Sequence, residues 1–279
     1  MLIVLLGIMV VTGVAVCYRP AFIPAEEQPF YPVTASQDDT LRVIMIGDSW
    51  VHIHERLRGD SILYAMLQPK VSVPVKVMSR GRGGANSKEI YYYMFSAKGD
   101  EYPGEADRCT QPLIEQKPDY CIISAGINDV VQGKGVDFYC HNYLLILRLL
   151  LHQGIRPVVL ELPTVVTNHP HDYHFFDISD ENLQFLKEQI TYKFGYGLAA
   201  LINGADRNKV DGYRHALRLT LEKTGLIDSV LYIGINEWNP DGYRDSRQLY
   251  VVEDYMHLNL KGYYVLDSCY AAKIAEDWK

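Results

Sequence analysis

The fold of this chain is decided by the stretch Leu41-Arg42-Val43-Ile44-Met45-Ile46-Gly47-Asp48-Ser49, an apolar run that ends in a polar turn. A run of this length and composition is typical of a strand that is buried on both faces of a parallel sheet. Ligands of such sheets bind at the carboxyl ends of the strands. The sequence therefore places the Ser49 hydroxyl at that edge, in a turn between a strand and a helix.

Predicted strands and helices alternate along the rest of the chain. The further predicted strands are Val73 to Met78, Pro118 to Ala125, Arg156 to Leu162 and Ser229 to Ile235. The predicted helices are Ile53 to Leu67, Ser87 to Phe95, Val136 to His152, Glu181 to Leu201, Lys209 to Lys223 and Leu260 to Asp277. This alternation predicts an α/β fold, a flavodoxin-like three-layer α/β/α sandwich around a parallel sheet of about five strands.

Four short segments carry the chemistry: Gly47-Asp48-Ser49-Trp50, Gly81-Arg82-Gly83-Gly84, Gly126-Ile127-Asn128-Asp129 and Asp254-Tyr255-Met256-His257. His257 can accept the Ser49 proton, and Asp254 can orient the imidazole and stabilise its cation. Glycine amides and the Asn128 side chain can donate to an oxyanion. We expect Asp48 and Asp129 to be structural, binding loop amides that hold the site. Together the segments supply the parts of an acyl-transfer site.

The order and spacing of these segments resemble those of the SGNH (GDSL-type) hydrolases, and the resemblance extends from Leu41 to the end of the chain. It implies that Ser49 is the nucleophile and a backbone oxyanion donor. It also implies that Gly84 and Asn128 are the other two donors, and that His257 with Asp254 completes the catalytic triad. The fourth segment is followed by Leu258-Asn259 and Gly262-Tyr263, which also fit the family's pattern.

The chain departs from the family's pattern at two places. Trp50 stands where the family name has Leu, and Ser79 stands where many members have Asn. The Trp50 ring beside the nucleophile is predicted to bind substrate. Arg82, which with Arg80 can form a local cationic patch beside the oxyanion glycines, is predicted to do the same.

The composition excludes several other classes of function. The chain has 279 residues, of which 48% are hydrophobic and 22% charged, enough for one core of about 240 residues. A net charge of −7 without a Lys/Arg cluster argues against nucleic acid as a partner. His169, His171 and His174 have no metal-ligand spacing, and Pro170 interrupts them, so we predict a solvated loop near the active site. No metal and no cofactor are expected.

The first 40 residues predict export. Met1 to Cys17 is almost entirely apolar and is expected to be a signal peptide or a membrane anchor. Tyr18 to Thr40 contains four prolines and is expected to be an extended tether. The hydrolase domain would then run from Leu41 to Lys279. These features predict an exported protein, periplasmic or anchored to a membrane and facing outside the cytoplasm.

These inferences predict an exported serine esterase that removes O-acyl groups, above all acetyl, from carbohydrate through an acyl-enzyme on Ser49. The expected partner is a small-molecule or glycan ester. Three alternatives stay open at this point. The chain could hydrolyse lipid or thioester acyl groups, with Trp50 and the apolar helices lining the pocket. It could be an O-acetyltransferase that passes the acyl group to a sugar hydroxyl. It could also be a carbohydrate-binding scaffold on a dead hydrolase fold.

Overall fold

A computed structural model describes residues 39–94, 109–163, 201, 210–239, 247–251 and 256–278. Within these residues lie five β-strands, namely β1 (Leu41–Gly47), β2 (Val75–Gly81), β3 (Tyr120–Ser124), β4 (Arg156–Leu160) and β5 (Leu231–Ile233). The strands form one sheet in the order β2-β1-β3-β4-β5, and every neighbouring pair is parallel. The predicted parallel five-stranded sheet is confirmed, and each strand overlaps its predicted segment.

The register of the sheet brings the functional loops together. Gly47 at the end of β1 lies opposite Gly81 of β2 on one side and Ser124 of β3 on the other. The carboxyl ends of these three strands are therefore level. The turns that follow them share one edge, where open α/β sheets bind their ligands.

The described residues contain nine α-helices. They are α1 (Ser49–Arg56), α2 (Gly59–Leu67), α3 (Ser87–Tyr93), α4 (Gln111–Ile114), α5 (Ile127–Val131), α6 (Val136–His152), α7 (Val210–Lys223), α8 (Ile235–Trp238) and α9 (Leu260–Asp277). Their mutual contacts fall into two groups, α1, α2, α8 and α9 in one and α3, α5, α6 and α7 in the other. These groups form the two outer layers, so the predicted three-layer α/β/α class is confirmed.

The first predicted helix, Ile53 to Leu67, is in fact two helices, and it begins four residues earlier than predicted. The helix is interrupted at Leu57 and Arg58, and Arg58 has a φ of 57°. The next residue, Gly59, lies so close to the buried His54 ring that a Cβ there would come within 2.2 Å of it. The break follows from the packing of Gly59 against the His54 ring, which a helical pattern of apolar residues does not report.

Two of the other predicted helices keep both boundaries, whereas the helix predicted from Ser87 to Phe95 ends at Tyr93. Both α6 and α9 begin and end where their apolar patterns predict, and α6 is buried on most of its surface. The predicted helix from Glu181 to Leu201, apart from Leu201 itself, and the leader and tether up to residue 38 lie outside the described residues. Among the helices of the described ranges, none is both long enough and apolar enough to cross a bilayer.

Candidate active site

The centre of the site is a contact between Ser49 and His257. Ser49 is the first residue of α1, directly after β1, and His257 lies just before α9. The His257 Nε2 atom is 2.8 Å from the Ser49 Oγ atom, although the two residues are 208 positions apart. At this distance the imidazole can accept the hydroxyl proton, which activates the oxygen as a nucleophile.

Asp48 fixes the turn that carries Ser49. Its side chain caps α1 by accepting a hydrogen bond from the Trp50 N–H at 3.0 Å, and it accepts another from the Ser124 Oγ at 3.0 Å. The Asp48 N–H in turn donates to the Ser124 carbonyl oxygen. The carboxyl is fully buried, and this burial raises its pKa to about 6. Asp48 is thus structural, as the sequence predicts.

The segment 247–251 holds His257 in place. Tyr250 and Leu258 form an antiparallel bridge, and the Val251 N–H donates to the His257 carbonyl oxygen at 2.8 Å. Asn259 then caps α9 by accepting from the Gly262 N–H at 3.0 Å. The base is therefore positioned by its own backbone between a short bridge and a helix cap.

Trp50 joins the nucleophile helix to the histidine segment. Its side chain is only 3% exposed, and its Nε1–H donates to the Met256 carbonyl oxygen at 3.0 Å. The ring also contacts Trp238 edge-on, with centroids 6.4 Å apart. Because the ring is almost completely buried, it has almost no surface with which to contact a substrate. It instead fixes Met256, the neighbour of His257, relative to Ser49.

Residues 82–86, here called the oxyanion loop, border the site after β2. The Arg82 N–H donates to the Gly47 carbonyl oxygen at 2.9 Å, which ties the loop to the end of β1. Gly83 and Gly84 are exposed, and Gly84 has a φ of 78° that favours glycine. Neither glycine N–H donates to another described residue. Their predicted role as oxyanion donors stays a prediction.

Asn128 reaches the same loop from the other side. It lies in α5, directly after β3, and its Nδ2 donates to the Ala85 carbonyl oxygen at 3.0 Å. An Asn amide has two N–H donors, so one remains for an oxyanion. Before it, Gly126 has a φ of 125°, and a Cβ there would come within 2.8 Å of the Tyr139 ring.

Asp129 anchors the beginning of α3 to α5. Its fully buried carboxyl accepts hydrogen bonds from the Ser87 N–H at 2.9 Å and the Ser87 Oγ at 2.6 Å. Burial raises its pKa to about 7. Asp129 is therefore structural, as predicted.

The Arg82 side chain lies over the Tyr93 ring, with its guanidinium carbon 5.3 Å from the ring centroid. The side chain is partly exposed. This stacking orders the Arg82 cation on the oxyanion loop. Its contact with substrate stays a prediction.

Two predicted features fall outside the described residues: Asp254, and the loop that contains His169, His171 and His174. Within the described ranges, no group of three His, Cys, Asp or Glu side chains is arranged to hold a metal ion.

Sequence reasoning missed two groups near the site. Gln132 follows Asn128 by four residues and also contacts the oxyanion loop. Two amide side chains at this spacing lie on one helical face, a signal that was available in the sequence. The buried pair of His54 and Asp267 gives no comparable signal, because its members are 213 positions apart.

Comparison with known proteins gives a clear result only at the level of structure. No family model and no curated protein matches the chain. Among solved structures, it is similar to a candidate acylhydrolase from Bacteroides fragilis, with 14% identity and a TM-score of 0.53 over 91% of this chain and 93% of that one.

Two further structures are similar to the same degree. A candidate GDSL-like lipase from Parabacteroides merdae has 14% identity and a TM-score of 0.51 over 87% of this chain and 98% of that one. The psychrotrophic esterase EstA from a Pseudoalteromonas species, inhibited by monoethylphosphonate, has 12% identity and a TM-score of 0.50 over 86% of this chain and 98% of that one. The resemblance seen in the sequence is thus confirmed in three dimensions, and the chain has the fold of the SGNH (GDSL-type) hydrolases.

Proposed function

We propose that the protein is a serine esterase that forms an acyl-enzyme on Ser49. The observation that carries this proposal is the 2.8 Å contact between the Ser49 Oγ and the His257 Nε2 at the carboxyl edge of the sheet. Because Asp48 and Trp50 hold the two residues from opposite sides, this contact is built into the fold.

The arrangement supports the following first step. His257 accepts the Ser49 proton as the oxygen attacks the ester carbonyl carbon, which creates a tetrahedral oxyanion. The N–H groups of Ser49 and Gly84 and the free N–H of Asn128 stabilise this charge. His257 then gives its proton to the leaving alcohol oxygen, and the acyl group stays on Ser49.

The second step repeats the first with water. His257 removes a proton from a water molecule that attacks the acyl carbonyl carbon, the same donors hold the new oxyanion, and the Ser49 oxygen leaves with the proton. The carboxylic acid is released. Asp254 would orient the imidazole during both steps and stabilise its cation.

For the substrate, we propose an O-acyl ester of carbohydrate, above all an O-acetyl ester, met outside the cytoplasm. The predicted leader and tether support an extracytoplasmic substrate. The burial of Trp50, which is 3% exposed, weakens the lipid or thioester alternative, because that alternative needs the ring together with the apolar helices to line an acyl pocket. A short acyl group needs no such pocket.

A series of p-nitrophenyl esters of increasing chain length tests the proposal. We expect the highest kcat/KM with acetyl and a steep fall for longer chains, and we expect Ser49→Ala to remove essentially all turnover. A preference for chains of eight or more carbons would favour the lipid alternative. Undiminished turnover by Ser49→Ala would contradict the serine mechanism, whereas Ser49-dependent turnover would exclude a dead scaffold.

A further inference from the structure

Gln132 holds the oxyanion loop with both atoms of its side-chain amide. It lies directly after α5, and its Nε2 donates to the Gly84 carbonyl oxygen at 2.9 Å. Its Oε1 accepts from the Asn86 Nδ2, also at 2.9 Å. One amide thus bridges two positions of the loop.

The direction of these hydrogen bonds is fixed by the cap of α3. Asn86 is the N-cap, and its Oδ1 accepts from the Glu89 N–H at 3.2 Å while the Glu89 side chain accepts from the Asn86 N–H at 2.9 Å. Because the Oδ1 faces the helix, the Nδ2 faces Gln132. Gln132 must then present its Oε1 to Asn86, which leaves its Nε2 to donate to Gly84.

The geometry points to a consequence for catalysis, and this inference rests on the proposed esterase function. Gly84 is exposed and lacks a Cβ, and a Cβ built there would have no atom within 4 Å, so side-chain packing does little to fix its peptide planes. The neighbouring Ala85 carbonyl is held by Asn128, but the Gly84 carbonyl is held by Gln132.

We propose that Gln132 is a positioning residue of the oxyanion hole, working as the middle member of a relay from Asn86 to Gly84. The relay holds the peptide plane that follows Gly84, which restricts rotation of the Gly84 backbone and so keeps the N–H on the other side of its Cα directed at the tetrahedral intermediate. A preorganised donor stabilises charge without reorganising during the reaction, and this advantage is lost when the donor is free to rotate.

Gln132→Met tests the relay without adding charge, because Met has a similar length and makes neither hydrogen bond. We expect kcat for p-nitrophenyl acetate to fall about 10-fold with little change in KM, less than the 10²–10³ expected when a donor is removed outright. Gln116→Met is the matched control, since Gln116 is an exposed glutamine whose amide donates to Pro112 away from the site. That variant should keep the wild-type kcat.

Asn86→Asp tests the relay from its other end. Asp is as good an N-cap as Asn, so α3 and its cap should be retained, but a carboxylate cannot donate to the Gln132 Oε1. We expect kcat to fall by a similar factor, with a melting temperature close to that of the wild type. Since both changes break one relay, the double variant should lose no more activity than Gln132→Met alone.

The outcomes separate this proposal from the proposed function. Wild-type kcat in both Gln132→Met and Asn86→Asp would overturn the relay and leave the esterase intact. A loss confined to KM, or one that only follows a lowered melting temperature, would make Gln132 merely structural and overturn its positioning role. Absence of Ser49-dependent turnover in the wild type would overturn the esterase itself, and the relay with it.

Discussion

At the scale of single residues, the site depends on donors and carboxylates whose surroundings fix what each can do. Asn128 uses one N–H to hold the Ala85 carbonyl oxygen, and in the proposed mechanism its other N–H donates to the oxyanion. The charge that it stabilises exists only in the transition state. Its contribution should therefore appear in kcat and hardly in KM.

Asn128→Ala is accordingly expected to lower kcat by about 10²–10³ with little change in KM. Steady-state kinetics with p-nitrophenyl acetate measure both constants. The control is the binding of a non-hydrolysable substrate analogue, which the variant should keep. If analogue binding weakens as much as kcat falls, Asn128 positions the substrate and does not stabilise the oxyanion.

Asp129 links stability to pH. Burial raises its pKa to about 7 from an ordinary value of 3.8. At a pH between these two pKa values, Asp129 is protonated in the folded protein but ionised in the unfolded chain. The contribution of this bound proton to the free energy of unfolding is therefore greatest at acid pH and falls as the pH rises to about 7. Over this pH range the free energy of unfolding falls by on the order of 4 kcal/mol through Asp129 alone.

The variant Asp129→Asn has no carboxyl group to titrate. The wild type should therefore lose a few kcal/mol of its free energy of unfolding, relative to this variant, between about pH 4 and about pH 8. Urea denaturation at a series of pH values measures the difference. A difference that stays constant with pH would show that the buried carboxyl keeps an ordinary pKa.

The sequence predicts that Ser49 and His257 meet, and the structure places their side chains 2.8 Å apart. One segment follows a strand and the other precedes a helix, which makes both recognisable in the sequence. The roles predicted for Gly84, Asn128 and Asp254 stay predictions.

The spacing from Asn128 places Gln132 on the same helical face, but the sequence does not show what the Gln132 side chain binds. The partners of Gln132 are a backbone carbonyl and a cap residue more than 40 positions away, and such partners leave no mark on local spacing.

At the scale of elements, α1 and α9 are joined by a buried polar pair. The His54 Nε2 is 3.0 Å from both Asp267 carboxylate oxygens, and the two residues are 1% and 0% exposed. The Tyr263 hydroxyl also donates to the Trp50 carbonyl oxygen at 2.8 Å. These contacts tie the helix that begins at Ser49 to the helix that follows His257.

Removing one member of the pair should cost more than removing both. His54→Leu leaves the Asp267 carboxyl buried without its partner, so we expect it to lower the free energy of unfolding by about 3–5 kcal/mol. The double variant His54→Leu/Asp267→Leu should recover much of that loss, because it leaves no uncompensated polar group. Chemical denaturation of the wild type, the two single variants His54→Leu and Asp267→Leu, and the double variant measures the cycle. Strictly additive losses would argue against coupling between the two side chains.

Periodicity predicts α6 and α9 well because their apolar patterns are long and each is preceded by a clear helix-start signal. These signals are Gly135 before α6 and Asn259 before α9. It fails at the break between α1 and α2. There the close approach of Gly59 to the His54 ring decides where the helix ends, and His54 is itself held by a residue from the other end of the chain.

At the scale of the whole molecule, the alternation of strands and helices suffices to predict the sheet, its layers and the edge that carries the site. The order of the strands brings β1, β2 and β3 together, and with them the turns that supply Ser49, Gly84 and Asn128. The segment 247–251 was not predicted, because its short bridge to Leu258 lacks the length that a strand pattern needs.

The exposed oxyanion loop supports the proposal that water accepts the acyl group. Gly83 and Gly84 are both exposed, whereas a transferase must keep water away from its acyl-enzyme. We predict that acetylated oligosaccharides release acetate in step with the deacetylated product, and that added millimolar unacetylated sugar changes little. Mass spectrometry that shows acetyl groups moving onto the added sugar faster than acetate appears would support the transferase instead.

The central claim is that Ser49 is a nucleophile activated by His257, and covalent labelling tests it most directly. A fluorophosphonate probe followed by peptide mass spectrometry should place one adduct on Ser49 in the wild type, none in Ser49→Ala, and a strongly slowed reaction in His257→Ala, because the base no longer removes the hydroxyl proton. An adduct on another residue, or labelling of Ser49 at the wild-type rate in His257→Ala, would contradict the account.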